Sequence, residues 1–269
     1  MSSIERTMRI LEMVADAPDG LRVTDLAVAL NLNRAIPHRL LAQLVSLGYV
    51  VQNPSTERYR ATFRLGSLGL RQLEAAGVTR WAQDELEALA KHTRELVRLT
   101  VATGDDLRFV AKAQGADTTL IVDPTSGADV VLHATASGKA WLSTLPDDQV
   151  AKLLARRGLG VQTARTATDV DRVLGEVRAA RSAGYALAIE EMEAGVNAIA
   201  TPIVPAAEPN RRGVGTVSIA GPAVRMTPEV LQDFAPALRK TAAALAAQWH
   251  VYGYLVDLAR AAGTTADGT

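Results

Sequence analysis

The stretch 31-NLNRAIPHRLLAQLVSLGYV-50 decides the fold that the sequence predicts. Its apolar residues recur at helical spacing, and Gly48 is well placed to end the helix as a C-terminal cap. The helix opens with polar and basic side chains, and Pro37 is tolerated there because first-turn amides lack intrahelical partners. A helix with such a start is suited to present its first turn to a polar or anionic partner.

Two shorter helices are predicted before this segment and a hairpin after it. Residues 4–17 carry apolar side chains at helical spacing, and a short second helix follows with Thr24 as its N-cap. After residue 48, two β-rich pieces flank an Asn-Pro-Ser-Thr turn at 53–56, a pattern typical of a hairpin. This order predicts a winged helix-turn-helix, in which the third helix enters the DNA major groove.

The charge distribution supports a nucleic-acid partner although the formal net charge is zero. Between residues 34 and 71, six arginines stand against a single acidic residue, Glu57, and no lysine occurs before Lys91. Arginine makes bidentate contacts to phosphates and guanine edges. The expected DNA contacts are Asn33, Arg34, Ala35, Pro37, His38 and Arg39 in the helix, and Arg58 and Arg60 at the hairpin. A solvated basic face without a partner and a helical protein-interaction module remain open as alternatives.

Composition limits the other function classes. Cysteine is absent and the four histidines are scattered, so we expect no disulfide, no metal site and no cofactor. No apolar run follows Met1, and no apolar segment reaches the length needed to cross a bilayer. A cytoplasmic protein without a membrane partner is therefore expected.

The chain beyond the hairpin changes its pattern near residue 98. An amphipathic helix is predicted at 79–97, then strands at 97–104, 107–115 and 119–127, and a mixture of helices and strands that ends in a helix at 228–250. Strands with hairpin-length connections, interrupted by helices, predict an α+β fold with a mostly antiparallel sheet. The expected organisation is a winged helix-turn-helix domain at 1–62, a linker at 63–78, an effector-binding domain at 79–250 and a disordered tail at 251–269.

The segment 133-HATASGKAWLS-143 carries the pattern of an anion site. Thr135 or Ser137 can cap the helix that begins there, and the small residues around them leave first-turn N–H groups open to a carboxylate. An ordinary capped helix is the alternative interpretation.

Enzymatic motifs are missing from the same segment. Ser137 lies in no G-x-S-x-G turn, and Lys139 follows glycine without the rest of a phosphate-binding loop. We therefore expect no enzyme, with an acyl hydrolase as the remote catalytic alternative. A ligand-sensing adaptor that does not bind specific DNA is the closer alternative.

Four segments together resemble the IclR (isocitrate lyase regulator) family of bacterial transcription factors over about residues 4–250. They are RAIPHRLLAQLVSLGYV at 34–50, HATASGKAWL at 133–142, GYALAIEEMEAGVNAIATPI at 184–203 and VSIAGPAVRMT at 217–227. The resemblance implies a winged helix-turn-helix, a linker helix and a GAF-like effector-binding domain. It also implies a homodimer or a dimer of dimers that binds palindromic double-stranded operator DNA and responds to small metabolites, frequently carboxylic acids.

By position, the resemblance places an effector carboxylate on the amides of Ala136 and Ser137, near the hydroxyl of Ser218. The full set of effector-binding residues that it implies is Thr135, Ala136, Ser137, Gly138, Ile189, Glu190, Pro202, Ser218 and Ala220. Several of these depart from the family pattern: Ile189 replaces an acidic residue of some members, Pro202 a small polarisable one, and Ala220 a second hydroxyl. These changes imply a more apolar pocket that suits a larger, partly hydrophobic acid or an aromatic compound. Whether Glu190 and Glu191 line that pocket or cap a surface turn is left open.

Overall fold

The computed structural model describes residues 1–75, 78–123, 130–206 and 212–249. The chain divides into two compact units, with the division between Ala75 and Ala76. The predicted disordered tail at 251–269 lies outside the described residues. Among the described helices, none has both the length and the apolar character that crossing a membrane requires.

The first unit is a helical domain with a small hairpin, and it confirms the predicted winged helix-turn-helix. Its helices and strands are, in chain order, α1 (Ser3–Ala15), α2 (Val23–Ala29), α3 (Ala35–Ser46), β1 (Val50–Gln52), β2 (Tyr59–Ala61) and α4 (Phe63–Ala75). The strands pair antiparallel, with Val51 opposite Arg60. The residues predicted as a linker therefore begin with a helix, α4, that groups with the first unit.

The core of the first unit fixes the position of α3. Ile10, Leu26 and Leu41, one from each of the first three helices, are fully buried together. The turn before α2 joins the hairpin through paired backbone hydrogen bonds between Leu21 and Tyr59. Gly20 makes this junction possible because it has a φ of +74° and a Cβ there would lie 2.8 Å from the carbonyl oxygen of Tyr59.

Within the described residues, the second unit is built on a five-stranded antiparallel sheet, as predicted. The strands are β3 (Leu96–Thr103), β4 (Asp106–Gln114), β5 (Ala186–Ile189), β6 (Val196–Ile203) and β7 (Gly215–Pro222), in the spatial order β4-β3-β7-β6-β5. The strand predicted at 119–127 is not formed at 119–123, and its remaining residues lie outside the described part.

Helices cover both faces of this sheet. They are α5 (Val78–Thr93), α6 (Ala136–Leu142), α7 (Asp147–Arg157), α8 (Val170–Ala183), α9 (Pro228–Asp233) and α10 (Ala235–Gln248). One large core joins α5, α9 and α10 to the face that carries Val97 and Ile219. On the other face, α6 packs on β5 and β6 through small residues, with α7 and α8 behind it.

Two predicted helices end differently in the structure. The helix expected to reach residue 97 ends at Thr93, because Arg94 has a φ of +56° and the chain then enters the buried strand β3. The helix predicted at 228–250 is broken at Phe234 into α9 and α10. Pro236 explains this break, since proline lacks the N–H that a continuous helix would use and its ring crowds the preceding turn.

Replacing Gly215 with alanine should destabilise the second unit. A Cβ at Gly215 would lie 2.0 Å from the carbonyl oxygen of Thr100 on the paired strand, so β3 and β7 must separate. We expect a loss of about 1–3 kcal/mol in the free energy of unfolding, measured by urea denaturation. Gly175→Ala in α8, where a Cβ meets nothing within 4 Å, is the matched control and should be neutral or stabilising. Equal stability of both variants would contradict this account of the strand pairing.

Candidate functional site

Four of the eight predicted DNA contacts lie on the exposed side of α3 and its N-cap. Arg34, Ala35, His38 and Arg39 are exposed, whereas Leu41 on the opposite side is fully buried. Residues three and four apart share one side of a helix, so Ala35 lies on the same side as His38 and Arg39, and Arg34 is exposed at the N-cap just before them. The helix thus offers a short basic surface at its N-terminal end.

The start of α3 is shaped by a side chain from the preceding turn. Asn33 Oδ1 accepts a hydrogen bond from the Ala35 backbone N–H at 3.0 Å, which fixes the turn and leaves the side-chain amide N–H₂ exposed. Pro37 differs from the prediction because its ring is buried on the core side of the helix. It therefore does not belong to the exposed face.

The two hairpin arginines contact the turn that precedes α2. Arg58 Nη1 donates to the Gly20 carbonyl at 2.7 Å, and Arg60 Nη2 lies 3.5 Å from the Asp19 carbonyl oxygen. Arg58 is partly buried, whereas Arg60 is exposed. Arg58 thus has a structural contact in the fold, while Arg60 remains exposed despite its long contact with Asp19.

Sequence reasoning missed the continuation of the α3 face. Ala42 and Gln43 are exposed in the turn that follows Arg39. The signal was present in the sequence, because Gln43 stands four residues after Arg39 and so lies on the same side of the helix. Gln can make a bidentate contact to adenine, which makes it a further candidate for base recognition.

The second unit contains a cavity of about 150 Å³ between the sheet and the start of α6. Five predicted effector residues line it: Thr135, Ala136, Ser137, Ser218 and Ala220. The other lining residues, which were not predicted, are Arg98, Phe109, Val122, Ala188, Met192, Glu193, Val196 and Ala198. The strand register explains the grouping, since Ala198 is paired with Ala220, and Ser218 with Arg98.

The cap of α6 is Thr135, one of the two predicted candidates. Its Oγ1 accepts from the Gly138 N–H at 3.0 Å and donates to the Val131 carbonyl at 2.9 Å. Gly138 does not line the cavity. A Cβ on it would lie 2.3 Å from the Leu132 carbonyl oxygen, so glycine permits the close approach of the helix to the preceding turn.

Three other predicted effector residues lie outside this cavity. Ile189 alternates with Ala188 along β5 and therefore packs on the other sheet face. Glu190 has a φ of +55°, and its carboxylate accepts from the Gly195 N–H at 3.0 Å and pairs with Arg165 at 3.3 Å, so it caps a turn. Pro202 shares the sheet face of Ala198, but it lies four residues further along β6, beyond the cavity wall.

Glu191 belongs to a buried ion pair rather than to the cavity. Lys139, which is 3% exposed, places its Nζ 2.8 Å from Glu191 Oε1 and 2.8 Å from Glu176 Oε2. This cluster ties α6 to α8 and to the turn after β5. The lysine of the S-G-K segment is therefore fully engaged within the fold.

Arg98 is the functional candidate that sequence reasoning missed. Its guanidinium carbon lies 3.8 Å from the centroid of the Phe109 ring, and its Nε has no hydrogen-bond partner among the described residues. Burial lowers the pKa of Arg98 to about 10, which still leaves the side chain charged at neutral pH. The available signal was a single charged residue, an arginine, in the otherwise uncharged strand segment LVRLTVAT.

The arrangement suits binding rather than metal chemistry. Ser218 Oγ is buried in the cavity wall and has no partner among the described residues. His133 lies in contact with the Gly160 carbonyl, 3.0 Å from its Nε2. In the described part of the chain, no three His, Asp or Glu side chains are placed to hold a metal ion. A small molecule with one anionic group and an apolar body would match the cavity.

Comparison with known protein families finds one family model that matches the first unit and another that matches most of the second. Residues 3–54 match the IclR helix-turn-helix domain, and residues 70–247 match the bacterial transcriptional regulator IclR C-terminal domain. The transcriptional regulator KdgR of Escherichia coli is 27% identical over 256 residues, covering 94% of this chain and 95% of its own length.

Solved structures agree with this assignment. A transcriptional regulator from Rhodococcus sp. RHA1 is 29% identical with a TM-score of 0.74, covering 93% of this chain and 99% of that one. An IclR homologue from Microbacterium hydrocarbonoxydans, solved with 4-hydroxybenzoate, shares the fold at 20% identity and a TM-score of 0.73, covering 93% and 100%. With family matches to both of its units, the chain belongs to the IclR family of bacterial transcriptional regulators.

Proposed function

We propose that this regulator binds palindromic operator DNA through α3 and that a carboxylic or aromatic acid in the cavity modulates the binding. The observation that carries the ligand half is that Arg98 Nε and the neighbouring Ser218 Oγ both lack a hydrogen-bond partner among the described residues, within otherwise mostly apolar walls. Buried polar atoms normally have partners, so two such atoms on residues that line one cavity support the binding of a ligand that supplies the hydrogen bonds. The relatives named above are regulators, and we propose no catalytic role for the cavity.

The DNA half rests on the exposed basic start of α3. Arg34, His38 and Arg39 are free of the hydrophobic core and can reach base edges, as the second helix of a helix-turn-helix motif does. Arg60, and in part Arg58, would hold the flanking phosphates. We further propose a homodimer or a dimer of dimers, because a two-fold assembly is what a palindromic operator matches.

The ligand half is supported by the chemistry of the cavity walls. Thr135, Ser137 and Ser218 supply hydroxyl groups on one side, and alanines and Phe109 supply the apolar surface. The Microbacterium homologue solved with 4-hydroxybenzoate supports an acid of this kind as the ligand class.

Fluorescence anisotropy tests the proposal directly. The duplex upstream of the gene for this protein is compared with a scrambled duplex at two salt concentrations, with and without benzoate or 4-hydroxybenzoate. Preference for the native duplex that persists at the higher salt, and changes with the acid, supports the proposal. Equal binding of both duplexes that collapses with salt would instead indicate nonspecific phosphate contacts. Absence of binding would favour the adaptor alternative.

Replacing Arg39 with alanine should weaken operator binding by about 1–3 kcal/mol and relax the sequence preference at one base pair, as expected for loss of a bidentate guanine contact. The measurement is anisotropy against a set of single-base operator variants. Arg9→Ala in α1 is the matched control, since Arg9 is an exposed arginine of the same unit that pairs with Glu12. A uniform loss over all operator variants would make Arg39 a phosphate contact.

Replacing Ala220 with valine should reduce ligand affinity without unfolding the protein. Ala220 is 1% exposed and lines the cavity from β7, so two added methyl groups occupy ligand space, and valine suits a strand. We expect roughly tenfold weaker binding of benzoate by calorimetry. The control Ile219→Val lies on the opposite face of the same strand; it should cost about 0.5–1.5 kcal/mol of stability and leave affinity unchanged. Undiminished binding by the Ala220 variant would place the ligand elsewhere.

A further inference from the structure

We propose that Arg98 determines the ligand specificity of the cavity, by pairing with the carboxylate of a single-ring organic acid that carries one negative charge. This inference rests on the proposed function of the cavity as the ligand site. The carboxylate would then contact a residue of β3 that was not among the predicted effector-binding residues. The cavity should therefore select its ligands by charge.

The first support is that two polar atoms without hydrogen-bond partners among the described residues belong to neighbouring strand residues. Arg98 and Ser218 are direct neighbours across β3 and β7, so their side chains emerge on the same sheet face. Arg98 Nε and Ser218 Oγ both lack a hydrogen-bond partner among the described residues. A carboxylate has two oxygens that each accept hydrogen bonds, so one group can satisfy both atoms.

The second support is the stacking of Arg98 on Phe109. The guanidinium carbon lies 3.8 Å from the ring centroid, and Phe109 is itself buried at 7% exposure. Stacking on an aromatic face orients a guanidinium without using its N–H donors. The arginine is therefore held in place before a ligand arrives, which reduces the entropy lost on binding.

The cost of burying this charge also favours a binding role. Partial burial disfavours the charged form of Arg98, and among the described residues no acidic side chain forms an ion pair with it. An uncompensated buried cation destabilises a protein unless something pairs with it. An anionic ligand supplies a negative charge that pairs with Arg98. The complex should therefore be more stable towards unfolding than the unliganded protein.

Cavity size and wall chemistry restrict the ligand further. The cavity measures about 150 Å³ and is walled by small residues such as Ala136, Ala188 and Ala198. A cavity of roughly this volume in another protein admits benzene, so a single ring is the appropriate size. Glu193 also lines the cavity, and its charge would repel a second carboxylate. A monocarboxylate is therefore preferred over a dicarboxylate.

The test compares acids with their neutral amides. Calorimetry of the full chain uses benzoate and 4-hydroxybenzoate as acids, and benzamide and 4-hydroxybenzamide as isosteric neutral probes. The unmodified protein should bind at least one acid about tenfold or more tightly than its amide, the loss expected for one hydrogen bond to a charged group. Arg98→Met should weaken acid binding at least about tenfold and remove the acid–amide difference. Arg108→Met, an exposed arginine on the adjacent strand, is the matched control and should bind as the unmodified protein does.

A second measurement separates a binding arginine from a structural one. Methionine retains the apolar contact with Phe109 while removing the partly buried positive charge, so the thermal midpoint of unliganded Arg98→Met should equal or exceed that of the unmodified protein. A lower midpoint, together with equal loss of acid and amide binding, would overturn the inference and make Arg98 structural. Failure of the unmodified protein to bind any of the four probes would also overturn it.

Operator binding distinguishes failure of this inference from failure of the proposed function. If an acid changes the operator affinity of the unmodified protein and of Arg98→Met equally, the cavity or another site senses acids without Arg98, and only the inference fails. If the protein shows no preference for its operator and no response to acids, the proposed function itself fails. An acid response that Arg98→Met abolishes, with operator binding intact, is the expected result.

Discussion

The close approach of α6 to the sheet is the constraint on which the second unit depends. Ala136 and Ala140 of the helix face Ala186, Ala188 and Ala200 of the sheet, and all five are buried. Larger side chains at this interface would push the helix away and open the cavity to solvent. Because the residues are small, the first turn of α6 comes within reach of the strand residues, and polar groups from distant parts of the sequence meet there.

The same approach is stabilised by an ion-pair cluster at the middle of α6. Lys139 is almost completely buried, yet two carboxylates from different elements neutralise it. Removing one partner of such a cluster costs far more than the pair contributes, because the remaining charge stays buried. Arg98 differs, since that arginine is partly buried but forms an ion pair with no carboxylate of the described residues. Lys139 thus stabilises the packing of α6, whereas Arg98 can pair with a bound anion.

Local sequence patterns predicted most of the fold. Predicting which residues line the cavity would have required the register in which the strands pair. The α3 face, the hairpin and the cap at Thr135 follow from spacing within a few residues, and all are present. Local spacing alone could not place Arg98 next to Ser218, because the two residues are far apart in sequence and meet only through the β3–β7 pairing. The position of Ile189 outside the cavity has the same origin. Ile189 directly follows the cavity residue Ala188, but successive side chains of a strand point to opposite faces, so Ile189 lies on the other face of the sheet.

The choice of arginine over lysine in the first unit has a consequence for chemical modification. Residues 1–90 contain no lysine, whereas Lys91 and the later lysines lie in the second unit. Side-chain acetylation, a common way of reducing affinity for DNA by removing positive charge, therefore has no lysine target on the α3 face or the hairpin. For the same reason, amine-reactive dyes and cross-linkers would spare every side chain of the winged helix-turn-helix.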